Sequence, residues 1–253
     1  MSLRVLTLVG LVFTLLGCAS SDPYKARDPD QASRANTELG ISYMRQGNLN
    51  LSMEYFKKAI DQDRSNAQAH AGIAVLYERL EQYDDAERSF RQALRLDPDN
   101  SSVRNNYGRF LCKQEQYAKA DEQFRKAIDD PLYERRELPL ANAGMCALRA
   151  GNREQAQDYL RRALERSPRF PPALRLMAEL QLDRSEYLSA RGYFQRYRDV
   201  AELDARALWL GIQIEHALGN RDDVASFGLR LRADYPDSEE TQKFRRLERD
   251  GTI

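Results

Sequence analysis

The feature that most constrains the fold of this chain is a period of 34 residues. Aromatic and alanine residues both recur at this interval, namely Phe56, Phe90 and Phe124 with Ala59, Ala93 and Ala127. A fixed period of this length indicates a stack of supersecondary units, none of which can bury its apolar face alone. Helix-favouring residues dominate the composition and runs of β-branched residues are nearly absent, so each unit is predicted to be helical.

The interval and the residue types match the tetratricopeptide repeat, a helix–turn–helix unit. The predicted fold class is all-α: a right-handed superhelical solenoid of six repeats with a C-terminal capping helix, spanning residues 31–253. The register slips by two residues before Glu137, and Gly228 in the sixth repeat stands where an aromatic residue is expected. The predicted repeats are about 33–66, 67–100, 101–134, 137–170, 171–204 and 205–236, and the predicted cap is about 238–249.

The N-terminus reads as a targeting segment. The apolar stretch at residues 5–16 is too short for a mature membrane helix, which needs about 20 residues, and it fits a signal-peptide core. It ends in LLGC, which resembles the bacterial lipobox, so residues 1–17 are predicted to be a lipoprotein signal peptide and Cys18 to be lipidated. A triacylated cysteine carries the multiple chains that stable anchoring needs. The alternative is a plain signal peptide followed by a coincidental cysteine.

The residues around this cysteine also suggest where the mature chain resides. Ala19 follows Cys18 in place of the aspartate that favours inner-membrane retention. An outer-membrane location with the folded part facing the periplasm is therefore expected. Residues 18–30 contain Pro23 and Pro29 and no apolar period, so they are predicted to form the lipidated N-terminus and a flexible tether.

The composition points to binding rather than chemistry. The 39 basic and 39 acidic residues balance, which argues against a nucleic-acid partner. The two histidines, His70 and His216, are far apart, and phosphate loops, metal-ligand spacings and nucleophile elbows are missing. We predict a protein-binding scaffold, monomeric, with no catalytic, metal or cofactor site.

Two further cysteines, Cys112 and Cys146, stand 34 residues apart on the predicted first helices of repeats three and four. The register slip puts them at repeat positions 12 and 10, so the count alone does not establish that they face each other. An oxidising periplasm would permit a disulfide, worth roughly 3–4 kcal/mol in the chain-entropy model. The alternative is two buried thiols.

Tetratricopeptide arrays bind partners along the concave surface, at repeat positions 2, 5, 9, 12 and 13 of the first helices. We therefore predict a partner-binding groove in the first three repeats, with the candidate residues Ile41, Met44, Arg45, Val75, Asn105 and Arg109. Ile41, Met44 and Val75 are predicted to form an exposed apolar strip, which is typical of protein-binding surfaces. The alternative is that the tether or terminal packing covers this strip.

Two stretches are more particular than the repeat requires: residues 105–112 read NNYGRFLC and residues 130–133 read DPLY. With the lipobox, they resemble the PilF/PilW family of type IV pilus biogenesis lipoproteins over essentially the whole chain. The resemblance implies a pilotin, an outer-membrane lipoprotein that binds secretin subunits and promotes their localisation and multimerisation there. It implies no catalytic residues, and it matches the lipidated cysteine to Cys18 and the paired cysteines to Cys112 and Cys146. The alternatives are a lipoprotein of the β-barrel assembly machinery and an adaptor of a periplasmic hydrolase.

Overall fold

A computed structural model describes residues 29–251, which form α-helices and no strand. The helices are α1 Pro29–Arg45, α2 Leu49–Gln62, α3 Ala67–Arg79, α4 Tyr83–Leu96, α5 Ser101–Lys113, α6 Tyr117–Asp129, α7 Glu137–Arg149, α8 Arg153–Arg166, α9 Pro171–Asp183, α10 Tyr187–Arg198, α11 Ala205–Ala217, α12 Arg221–Asp234 and α13 Glu239–Arg249. They make six helix pairs and a final single helix, so the predicted all-α solenoid is confirmed.

The N-terminal predictions fall largely outside this part of the chain. The signal peptide, Cys18 and residues 18–28 of the tether precede the described residues. Helix α1 begins at Pro29, so Pro29 and Asp30 belong to the solenoid and not to the tether. Proline is tolerated at the start of a helix because its missing N–H has no helical partner there.

The stacking pattern shows which side of the solenoid is concave. Within each pair, the first helix (α1, α3, α5, α7, α9 or α11) packs most closely on the second helix that follows it. Each first helix also contacts the next first helix along the chain, whereas no two second helices of the described residues contact each other. A stack that is tighter on one side curves towards that side. The first helices therefore line the concave face.

Local sequence sets where the helices begin and how each pair turns. Seven helices start after a residue whose side chain accepts a hydrogen bond from a backbone N–H of the first turn, namely Asn48, Asn66, Asn100, Asn152, Asp204, Asn220 and Ser238. The turn inside each pair needs one residue with positive φ. Gly47, Gly151 and Gly219 provide it in three repeats, and Glu81, Glu115 and Ser185 in the others.

Close approach of helices explains the small residues in the period. A Cβ added at Gly108 would lie 2.7 Å from the ring of Phe124, so only glycine lets the first and second helices of repeat three come together around that ring. Phe124 is fully buried. Gly40 and Phe56 make the same contact in repeat one, at 2.8 Å, which explains why a small residue and a large one recur at a fixed distance in the sequence.

The sixth repeat keeps this packing by a different route. Phe227, one residue before the expected position, packs edge-on against Phe194 with ring centroids 5.7 Å apart. Gly228 leaves a space, and Phe244 of α13 fills it: a Cβ at Gly228 would lie 2.2 Å from the Phe244 ring. The capping helix therefore places an aromatic ring against the position at which the sixth repeat has glycine.

The irregular junction between repeats three and four is tied at two places. Asp130 accepts hydrogen bonds from Ser101 Oγ (2.6 Å) and from Leu132 N (2.9 Å), which hold the loop between α6 and α7 against the start of α5. A disulfide joins Cys112 on α5 to Cys146 on α7, with Cα atoms 5.8 Å apart. The two first helices that flank the slip are thus linked directly.

Candidate protein-binding surface

Side chains at the ends of the first helices join neighbouring repeats on the concave face. Arg79 on α3 donates from Nη1 to the carbonyl oxygen of Met44 on α1, at 2.9 Å. Lys113 on α5 forms an ion pair with Glu78 on α3, at 3.5 Å. Each contact reaches from the last residue of one first helix to the penultimate residue of the preceding one. The end residues of α1, α3 and α5 therefore lie side by side along one surface.

The N-terminal part of this surface differs from the prediction at Met44. That side chain is 8% exposed and belongs to a small core cluster with Phe56, Ile73 and Leu76. The prediction of an exposed Met44 was wrong because α3 packs over the end of α1. Ile41 is half-buried against the same cluster, as is Val75 on α3.

Asn105 is also not free to bind a partner. It is 7% exposed, and its Oδ1 accepts a hydrogen bond from Nδ2 of Asn142 on α7, at 2.9 Å. Its role is to satisfy a buried polar contact between neighbouring first helices, where an unpaired amide would be costly. Arg45 and Arg109, in contrast, are exposed at the surface.

The apolar side chains of this face continue beyond the third repeat. Met145 and Leu148 on α7, and Leu182 on α9, are half-buried and pack on the core with one side. They occupy repeat positions 9 and 12, which are also the positions of Ile41 and Met44. Extending the same count into repeats four and five would have found them. Trp209 on α11 is likewise half-buried.

Charge is distributed unevenly along the concave face. Helices α1, α3, α5 and α7 each end in an exposed cation, namely Arg45, Arg79, Lys113 and Arg149. Helix α9 carries an ion pair instead, in which Arg175 and Glu179 lie 2.6 Å apart. Burial raises the pKa of the Glu179 carboxyl, and the Arg175 guanidinium opposes that rise. The last two first helices, α9 and α11, end at Asp183 and Ala217, so the series of terminal cations stops at repeat four.

Residues 29–251 contain no group of three or more His, Cys, Asp or Glu side chains that could hold a metal ion. A ring nitrogen of His70 lies 3.1 Å from the backbone oxygen of Arg64. No helix within the same part of the chain is both long and apolar enough to cross a membrane. The concave face presents partly exposed apolar side chains beside exposed cations.

Comparison with known proteins agrees with this architecture. Models described as tetratricopeptide repeat match residues 33–66, 67–100, 89–122 and 142–204. The type IV pilus assembly protein PilF of Pseudomonas aeruginosa is 33% identical over 248 residues, which cover 96% of this chain and 98% of that protein.

Two solved structures share both fold and sequence with this chain. The structure of Pseudomonas aeruginosa PilF superposes with a TM-score of 0.77 at 34% identity, over 86% of this chain and 98% of that one. The structure of PilW, a widely conserved type IV pilus biogenesis factor, gives a TM-score of 0.78 at 35% identity, over 84% and 98%. Because this identity extends along nearly the full length of each protein compared, the chain belongs to the PilF/PilW family of type IV pilus biogenesis proteins.

Proposed function

We propose that the protein is a pilotin of type IV pilus biogenesis, an outer-membrane lipoprotein that binds secretin subunits and promotes their localisation and multimerisation in that membrane. Membership of the PilF/PilW family is the observation that carries this proposal, since the relatives are named as a pilus assembly protein and a pilus biogenesis factor. The binding task suits the architecture. A tetratricopeptide solenoid spreads its core along an axis and exposes a long concave surface to a partner.

The concave face of the first helices is the proposed contact surface. Ile41 and Val75 are half-buried there, at the end of the solenoid that follows the predicted anchor. Partly exposed apolar side chains beside charged ones are typical of protein-binding surfaces. The surface does not require Met44 or Asn105, whose side chains are used inside the solenoid.

The anchor at Cys18 gives the proposed mechanism its location. A lipid chain contributes about 0.8 kcal/mol per buried methylene, and more than one chain gives stable attachment. Holding the solenoid at the membrane raises the effective concentration of a bound secretin subunit next to its neighbours. Replacing Cys18 with serine should therefore leave binding intact but prevent secretin multimers from forming at the outer membrane.

Deletion of the gene tests the proposal against its two alternatives. We expect loss of twitching and of secretin multimers in the outer membrane, with normal porin levels. A general loss of porins would instead favour a role in β-barrel assembly and would overturn the pilotin proposal. Altered cell-wall turnover with normal pili and porins would favour an adaptor of a periplasmic hydrolase.

A further inference from the structure

Five cations form a row on the concave face of repeats one to four. Arg45, Arg79, Lys113 and Arg149 are the last residues of α1, α3, α5 and α7, and Arg109 lies one turn before Lys113. All five are exposed. The contacts of Arg79 with Met44 and of Lys113 with Glu78 place the ends of α1, α3 and α5 beside one another. The disulfide between Cys112 and Cys146 holds the last turn of α7, which ends at Arg149, beside the end of α5. We call these five residues the basic row.

Little on the same face neutralises the basic row. Glu78 is the only carboxylate at repeat positions 2, 5, 9, 12 and 13 of these four helices, and Glu81 and Glu115 lie beyond them in the turns. Arg45, Arg109 and Arg149 form no ion pair with any described residue. The whole chain is electrically neutral. The excess of positive charge is therefore a property of this surface and not of the composition.

Apolar side chains run alongside the basic row. Ile41, Val75 and Met145 each lie four residues before their cation, so each pair shares one face of its helix. All three are half-buried and leave part of their apolar surface open. A partner lying along this face would therefore meet apolar groups on one edge and cations on the other.

The spacing of the helices sets the spacing of the partner's charges. Packed helix axes are about 8–10 Å apart, and an extended chain in the polyproline II conformation rises about 3.1 Å per residue and returns every third side chain to the same face. An extended segment that crosses the first helices would thus pass one cation about every three residues. An acidic side chain at that spacing could pair with each member of the row.

The geometry favours a polypeptide over a lipid surface. A flat bilayer cannot enter a concave face, whereas an extended segment can. The basic row is therefore better suited to an extended polypeptide than to a membrane surface.

From these observations we infer that the concave face of repeats one to four binds an extended acidic segment of a partner protein, with carboxylates about every third residue and apolar side chains between them. The inference rests on the proposed function, because it specifies the chemistry of the segment recognised on the same surface. The basic row supplies charge complementarity, which speeds encounter and selects the partner.

Site-specific photo-crosslinking in cell membranes tests the inference without assuming the partner. Arg45, Arg109 and Arg149 of the full lipoprotein are replaced one at a time by a photoreactive residue, and the exposed Arg125 on α6 serves as the control. The adducts are mapped by mass spectrometry. We expect the three concave positions to capture one acidic segment with the predicted spacing, and Arg125 not to capture it.

The possible outcomes separate the inference from the proposed function. Crosslinking to an acidic segment of the secretin supports both the inference and the pilotin proposal. Crosslinking to an acidic segment of another protein supports the inference and contradicts the pilotin proposal. Adducts on lipid, adducts on a segment without excess acidic residues, or adducts no more frequent than at Arg125 overturn the inference.

Charge reversal provides a quantitative check with the captured segment as a synthetic peptide. The variant R45E/R109E/R149E is compared with R125E/R166E/R198E, which makes the same change of charge at exposed arginines of α6, α8 and α10. We expect the concave variant to bind about tenfold more weakly and to lose its salt dependence, and the control to change less than about twofold. Equal effects of the two variants would overturn the inference.

Discussion

Because Gly228 contacts Phe244, we predict that Gly228→Ala destabilises the solenoid, whereas Gly192→Ala stabilises it. Gly228 lies inside α12, where alanine would ordinarily stabilise a helix by about 1 kcal/mol. An added Cβ, however, would lie 2.2 Å from one carbon atom of the Phe244 ring and 2.4 Å from another. Phe244 is 2% exposed, so its ring must leave a packed site to make room.

The packing around Gly228 also sets the expected loss in the free energy of unfolding. Forcing extra volume into a packed core costs about 1–3 kcal/mol, and losing the burial of a phenylalanine completely costs about 3–5 kcal/mol. After the helix-propensity gain, we expect Gly228→Ala to lower the free energy of unfolding by about 1–3 kcal/mol. Gly192 lies inside α10 with no atom within 4 Å of its added Cβ, so Gly192→Ala should raise stability by about 0.5–1 kcal/mol.

Urea unfolding followed by circular dichroism compares the two variants, and hydrogen exchange shows whether the loss is local to α13. Shortening the obstructing side chain by Phe244→Leu should reduce the cost of Gly228→Ala in the double variant, because the two residues are in contact. A stabilising effect of Gly228→Ala, or strict additivity with Phe244→Leu, would refute the claim that the cap completes the sixth repeat.

Three further predictions concern turns, crosslinks and pH. Glu81→Gly and Glu115→Gly should each stabilise the fold by about 0.5–1 kcal/mol, because a left-handed backbone costs a non-glycine residue about 1–2 kcal/mol; a loss of stability on urea unfolding would contradict this. Thiol labelling of the unfolded, unreduced protein should find neither Cys112 nor Cys146 reactive, and reduction should cost about 3–4 kcal/mol for this 34-residue separation; free thiols at both sites would contradict the pairing. Hydrogen bonding by Ser101 Oγ lowers the pKa of Asp130. The ionised Asp130 carboxylate therefore stabilises the fold at pH values above about 4, the pKa of an aspartate in the unfolded chain, and this stabilisation is lost as the pH falls further. Asp130→Asn should remove this contribution to the pH dependence of the free energy of unfolding. An unchanged pH dependence in the variant would contradict the role of Asp130.

Much of the fold follows from periodicity, because the residues that keep the period are those that meet within and between neighbouring repeats. Gly108 and Phe124 recur with their counterparts because each pair lets two helices approach closely. Such contacts are local in the chain and recur from one repeat to another, so a single sequence reveals them. The same reasoning correctly predicts the order and pairing of the helices.

The errors occur where the stack is interrupted or where a side chain has more than one possible neighbour. Met44 occupies a groove-facing repeat position, yet the packing of α3 at the end of the solenoid buries it. Asn105 has a polar side chain at a position predicted to be exposed, but it pairs with Asn142, which is 37 residues away in the sequence. The Gly228–Phe244 contact joins a repeat to a helix outside the period, so no periodic pattern could predict it.

Binding of secretin to the concave face is the central claim, and co-purification from membranes measures it directly. The concave variant Ile41→Asp/Val75→Asp is compared with Leu188→Asp/Leu229→Asp, which places the same charges at leucines on the second helices that are 74% and 64% exposed. Equal far-ultraviolet circular dichroism and equal amounts of lipidated protein serve as controls. The account predicts that the concave variant loses secretin subunits and that the control retains them. Retention of secretin by both folded variants would contradict it.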